Sequence, residues 1–262
     1  MTVKLSGQDI STWNGQMNFQ KSVVAGSHFT FIRVGSIDNT NGICYKDYQF
    51  DRNMAAVKNV LPWGGYWYFR PNWDANTQAV YFSNLLKPYE FQLPPVIDVE
   101  ADPSTWNGKS ISPNVHADMI AQFIFRVTKN LSLPKIIIYT RSTYWNIYVE
   151  ARAGWKNQDL WIARYANLDH PWGDGKYKIR DWDDYKFWQY TSNGNGLAYG
   201  NGPTSNGATS KDIDLDWFNG DQNAFNVYIG KEKELSQQEY WMEDIDTWAR
   251  TQGYSGTKPF GG

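Results

Sequence analysis

Cysteine is almost absent. The single Cys44 excludes an intramolecular disulfide and reads as a small hydrophobe. No apolar run approaches the roughly 18 consecutive residues of a membrane span, so no membrane partner is expected. The opening "MTVKLSGQDIS" has neither the apolar stretch nor the cleavage site of a secretory signal. Charge of one sign is lacking too: 25 Lys and Arg face 27 Asp and Glu. A net charge of −2 gives no basic surface for nucleic acid or an anionic membrane. No P-loop, dinucleotide fingerprint, G-x-S-x-G or CxxC occurs. The three histidines, His28, His116 and His170, share no metal-ligand spacing. Nucleophilic Ser or Cys chemistry is thus disfavoured, and no metal or cofactor is expected.

Aromatic residues, in contrast, are abundant: 14 Trp and 17 Tyr among 262 residues. They pack cores, but their faces also stack on the C–H faces of sugar rings, and composition leaves both roles open. Short apolar runs alternate with helical patterns. Strands are expected at 4–11, 29–35, 63–69, 95–100, 135–140, 160–165, 187–192 and 213–218. Helices are expected at 45–60, at 76–89 stopped before Pro88, and at 112–131 with Ser112 as N-cap and Pro113 in the first turn. Strand–helix alternation implies a parallel sheet. This is an α/β chain folding as an irregular (β/α) TIM-like barrel, its last strands joined by loops instead of full helices, because the links 166–186 and 192–212 have no helical period. Residues 1–220 form the barrel and 221–262 an extension. Within the extension, "LSQQEYWMEDIDTWARTQGYSG" (235–256) reads as one amphipathic helix with a capping box at Ser236 and Glu239. This acidic helix suits packing against the barrel more than gripping an anionic wall. Deleting 231–262 is expected to lower the melting temperature without loss of co-sedimentation with cell walls.

The chemistry gathers in "LPPVIDVEAD" (93–102). A strand presents alternate residues to one face, so Asp98 and Glu100 lie side by side, and like charges that close raise at least one pKa. In a (β/α) barrel the working residues stand at the C-terminal strand ends. Asp9, Asp98, Glu100, Tyr165, Gln189 and Tyr190 fall there, with Asp214 in the last strand. Around them stand Trp13, Trp63, Tyr66, Trp67, Tyr68, Arg70, Trp161 and Trp188. Acids in an aromatic surround suit glycosidic-bond cleavage, where one carboxyl must stay protonated and another ionised. Choosing Asp214 over Asp212 or Asp216 is not possible from composition.

Eight motifs in order, "GQDISTWNG" (7–15), "FIRVG" (31–35), "GGYWYFRP" (64–71), "PPVIDVE" (94–100), "IIIYT" (136–140), "LWIARY" (160–165), "FWQYTSNG" (187–194) and "DIDLDWF" (212–218), resemble glycoside hydrolase family 25, the Chalaropsis-type lysozymes of bacteria, phages and fungi. The resemblance implies hydrolysis of the β-1,4 bond between N-acetylmuramic acid and N-acetylglucosamine in bacterial peptidoglycan. It implies Glu100 as general acid, Asp98 as its partner, and Asp9 and Asp214 as further acids on the rim. Tyr66, Trp67, Tyr68, Arg70, Tyr139, Trp161, Tyr165 and Gln189 form the expected substrate-binding set. One departure is Trp67, which stands near the position where many members carry His. The chain is expected to act as a monomer, made in the cytoplasm and reaching the wall through a phage pore. The alternative is a non-catalytic glycan-binding barrel of a phage structural protein. A chitinase-like reading is weaker, because "PPVIDVEAD" lacks the fuller D-x-x-D-x-D-x-E pattern.

Overall fold

The computed structural model of the chain describes residues 4–231. Its strands are β1 (Leu5–Ile10), β2 (Thr30–Ile37), β3 (Cys44–Lys46), β4 (Trp63–Tyr68), β5 (Val96–Asp98), β6 (Ile137–Thr140), β7 (Asp159–Ala163), β8 (Phe187–Asn195) and β9 (Asp212–Phe218). The helices are α1 (Phe19–Val24), α2 (Phe50–Val57), α3 (Ala75–Leu86), α4 (Pro113–Leu131), α5 (Ser142–Tyr148), α6 (Gly196–Tyr199) and α7 (Gln222–Tyr228). The sheet runs β1-β9-β8-β7-β6-β5-β4-β2, and pairing of β1 with β2 closes it into a barrel; β3 adds outside it, on β2.

The expected helix caps are present. Ser112 accepts from Val115 N at the start of α4, with Pro113 in its first turn, and α3 ends at Leu86, two residues before Pro88. The link from β7 to β8 contains no helix, and the link from β8 to β9 carries only the four-residue α6.

Two expectations are corrected. The helix expected over 45–60 begins only at Phe50, because Cys44–Lys46 pair antiparallel with Gly35–Ile37 of β2. Asp47 then turns the chain, accepting from Gln49 N at 2.9 Å, and leaves Tyr48 exposed. The barrel is mixed, not parallel throughout: β9 runs antiparallel to both β1 and β8. A parallel return needs a crossover to the far end of the sheet. Here the chain turns at α6 and comes straight back down. Past Gly220 the first part of the extension packs on the barrel. Asp221 caps α7, and Phe225 closes the lower end of the barrel against Phe29 and Phe218, with centroids 5.6 and 5.1 Å away. The helix expected over 235–256 lies outside the described residues.

Strand alternation produces two cores. Leu5, Phe29, Phe31, Val96, Ile137, Trp161, Phe187 and Phe218 point inward and fill the barrel, while Ile32, Val34, Trp67, Ile97, Ile138 and Ile162 point outward under the helices. Gly7 serves the inner core: a Cβ there would meet the Phe29 ring at 2.4 Å. Phe225→Ala should cost about 3–5 kcal/mol, as for other buried Phe truncations. Thermal melting is then expected to fall by roughly 6–20 °C. An unchanged melting temperature would mean that α7 does not seal the barrel.

Candidate active site

Above the inner apolar layers the inward-facing positions turn polar. A cleft of about 370 Å³ opens there, lined among others by Asp9, Tyr66, Tyr68, Asp98, Glu100, Tyr139, Trp161, Tyr165, Gln189 and Asp214. Each arrives by the same alternation: Val96, Asp98 and Glu100 from β5 and its end, Ile137 and Tyr139 from β6, Phe187 and Gln189 from β8. Asp214 lies near the start of its strand, yet it reaches the same rim because β9 runs downward; Asp9 and Asp214 are direct cross-strand partners. The antiparallel direction therefore selects Asp214 for the cleft, which composition could not do. A larger hollow of about 770 Å³ lies outside the barrel by Lys58, Pro62 and Glu90, and it gathers no such set of acids.

The two acids of β5 differ in exposure. Asp98 is 5% exposed, whereas the Glu100 side chain is 26% exposed and looks into the cleft. Burial raises the pKa of both. For Asp98 the charge of Glu100 adds to this, opposed by Arg33 and Arg141. For Glu100 the opposing charge is Arg141, whose Nη1 stands 3.6 Å from Oε2. The two carboxyls titrate as a pair that releases its protons in two steps. Asp214 is pushed up to about 6, by burial first and the charge of Glu100 second. Asp9 is raised well above the usual carboxylate range, by burial first and by Asp214 second.

A hydrogen-bond network fixes the far wall. Gln189 Nε2 donates to Asp9 Oδ2 at 2.7 Å. Its Oε1 accepts the hydroxyls of Tyr139, at 2.9 Å, and Tyr165, at 2.8 Å. Two donors on the oxygen leave the amide only one orientation. Trp161 forms part of the floor.

Trp67 lies elsewhere. It is 0% exposed, packs on Phe82 and Tyr81 of α3, and donates from Nε1 to Gln78 Oε1 at 3.1 Å. Tyr66 and Tyr68 point inward, so the residue between them must point outward. Trp63 and Trp188 belong to the same outer core. Arg70 stands beside the cleft, its guanidinium 5.1 Å from the Tyr68 ring centroid, and it is not among the lining residues.

Two lining cations escaped the sequence reading. Arg33 and Arg141 occupy the next inward positions after Phe31 and Tyr139, so a period-two count would have found them. Arg33 is anchored to Asp47, Nε to Oδ2 at 3.2 Å. Trp13, named only as part of the surround, is a lining residue and 72% exposed.

The description Glycosyl hydrolases family 25 matches residues 8–197. Lysozyme M1 of Streptomyces globisporus is 28% identical over 226 residues, which span 84% of this chain and 69% of that protein. The bacterial lysozyme from Streptomyces coelicolor shares the fold, with TM-score 0.68, 24% identity, and coverage of 87% of this chain and 98% of that one. So does a family 25 glycosyl hydrolase from Bacillus anthracis, with TM-score 0.67, 24% identity, and coverage of 86% and 93%. A barrel of this shape, an acid-lined cleft and a family match over most of the length lead to one conclusion: the chain belongs to glycosyl hydrolase family 25 and is a glycoside hydrolase of the lysozyme, or muramidase, kind.

Proposed function

We propose that the enzyme cleaves the β-1,4 bond between N-acetylmuramic acid and N-acetylglucosamine in bacterial peptidoglycan. Glu100 is the general acid that protonates the departing glycosidic oxygen. Asp98 faces the developing positive charge and orients the substrate's 2-acetamido group. Asp9 and Asp214 complete the acidic rim. The observation that carries this reading is the contrast within the β5 pair. Two carboxyls share one cleft and both hold protons more tightly than usual, but only Glu100 is open enough to pass its proton to a bound sugar. Tyr66, Tyr68, Tyr139, Trp161, Tyr165 and Gln189 shape the sugar-binding surface. Trp67 is withdrawn from that set, and Arg70 acts by bracing Tyr68.

The deciding assay is release of reducing ends from purified peptidoglycan and, in parallel, from chitin. Release from peptidoglycan alone supports the proposal. Equal or preferred release from chitin would overturn the choice of bond, and release from neither would overturn the substrate class.

Trp13 gives a separate check on sugar binding. Its turn is stiff: Ser11 and Asn14 cap it reciprocally, and Thr12 N donates to Asp47 Oδ2 at 3.1 Å. Covering about a third of an indole with a sugar ring is worth about 1–2 kcal/mol. Trp13→Ala is therefore expected to raise KM for long glycans about five- to thirtyfold, with kcat little changed. A KM equal to that of the parent enzyme would remove Trp13 from the binding surface.

A further inference from the structure

Beyond Glu100 the cleft has a side arm of about 450 Å³. Glu100, Tyr139, Arg141 and Tyr165 border both spaces. The arm runs on past Thr143, Arg164 and Tyr177, and among the described residues its lining holds no acid other than Glu100.

Two arginines line the arm, and they are not equivalent. Arg164 is engaged. Its Nη2 pairs with Asp174 Oδ2 at 2.7 Å, and its guanidinium lies 4.0 Å from the Tyr177 ring centroid. That clamp holds Tyr177, whose φ of 60° is uncommon for a non-glycine residue, as the outer wall. Arg141 is placed differently. Its carbonyl accepts from Tyr144 N and Trp145 N, at 3.0 and 2.9 Å, which ties its backbone down at the start of α5. Its side chain is 46% exposed. Among the described residues only Glu100 comes within ion-pairing distance of it, Nη1 to Oε2 at 3.6 Å. Asp98 and Asp102 feel its charge from farther away.

A general acid is neutral when it works. In that state Glu100 offers Arg141 no charge, and the arm is a cationic recess beside the reacting bond. A neutral sugar has no use for such a charge, but a muramyl residue brings one. It carries a carboxylate on its lactyl ether or, where that group is amide-linked, on the attached peptide stem. We propose that the arm binds a carboxylate borne by the muramyl unit, with Arg141 as its counter-charge and as the residue that makes the enzyme prefer acidic strands to neutral ones. This rests on the reading of the chain as a muramidase with Glu100 as general acid.

The chemistry of the recess suits that ligand. A guanidinium presents paired N–H donors that match a carboxylate. Ser142 and Thr143 add hydroxyl donors to the same lining. A carboxylate seated there also offsets the cation that opposes protonation of Glu100, so an acidic strand helps to keep the general acid loaded.

The test changes charge at nearly constant shape. Carbodiimide and ammonia convert the carboxylates of purified peptidoglycan strands to amides. On stem-bearing strands, or on strands stripped of peptide by an amidase, the parent enzyme is expected to show a KM about five- to thirtyfold lower for the acid than for the amide. In Arg141→Gln the two values should agree within about twofold. A preference confined to stem-bearing strands assigns the carboxylate to the peptide, and one confined to stripped strands assigns it to the lactyl group. Equal KM for acid and amide in both strand types overturns the proposal, as does a preference that survives in Arg141→Gln. If no strand is cut, the muramidase reading falls. The same acid-to-amide comparison, read as Kd by calorimetry on the parent and on Arg141→Gln, then still decides the arm.

Discussion

Glu100→Gln is expected to lower peptidoglycan hydrolysis by about 10²–10⁴-fold, the usual contribution of a general acid. The amide keeps the shape of the side chain but has no transferable proton. The fold should not suffer. A carboxyl whose folded-state pKa lies above its unfolded value costs the fold stability once it ionises. That loss begins above about pH 4 and grows as pH rises through the folded pKa. Burial places Glu100 in this class, with Arg141 opposing it in part. The glutamine variant should thus melt at or above the parent temperature, with a gap that widens toward higher pH. Retention of more than about a tenth of the activity, with circular dichroism unchanged, would remove Glu100 from the general-acid role.

Asp98→Asn is expected to be nearly as severe, costing about 10²–10³-fold, because a fixed negative charge beside the cationic transition state is lost. Its second effect is on pH. In the parent the last proton leaves the Asp98–Glu100 pair against the charge already formed on its neighbour. In the variant Glu100 ionises alone, still beside Arg141, and so does this at lower pH. The residual activity should then lose its alkaline limb earlier than the parent does. An alkaline limb at the parent's position, measured as kcat/KM against pH, would show that the two carboxyls do not communicate.

Much of this site is legible locally because a strand has a period of two. "PPVIDVE" must place Val96, Asp98 and Glu100 on one face whatever the barrel does with them. The same count predicts Arg33 above Phe31, Arg141 above Tyr139, and Trp67 turned away from Tyr66 and Tyr68. Trp67 entered the expected site as one of the aromatic residues around the acids, and the physical alternation of the strand overrules that position.

What the chain determined by itself is therefore the local geometry: the faces of the strands, the Ser112–Pro113 start of α4, the stop of α3 before Pro88, and the absence of full helices in the late links. These depend on neighbours within a few residues, where sterics and capping act. The tertiary structure alone decided the rest. It turned 44–46 into a strand, since the partner Gly35–Ile37 is supplied by β2 and not by the segment's own helical spacing. It sealed the barrel with Phe225, which packs on Phe29, far away in the sequence just before β2, as well as on the nearby Phe218 at the end of β9. And it ran β9 downward between β1 and β8, which lifts Asp214 to the rim and sinks Asp216 to the apolar layer. In the sequence those two aspartates are equivalent members of one alternating strand; only depth in the closed barrel, and the water each can reach, separates an acid that faces the substrate from one that lies beneath Asp9.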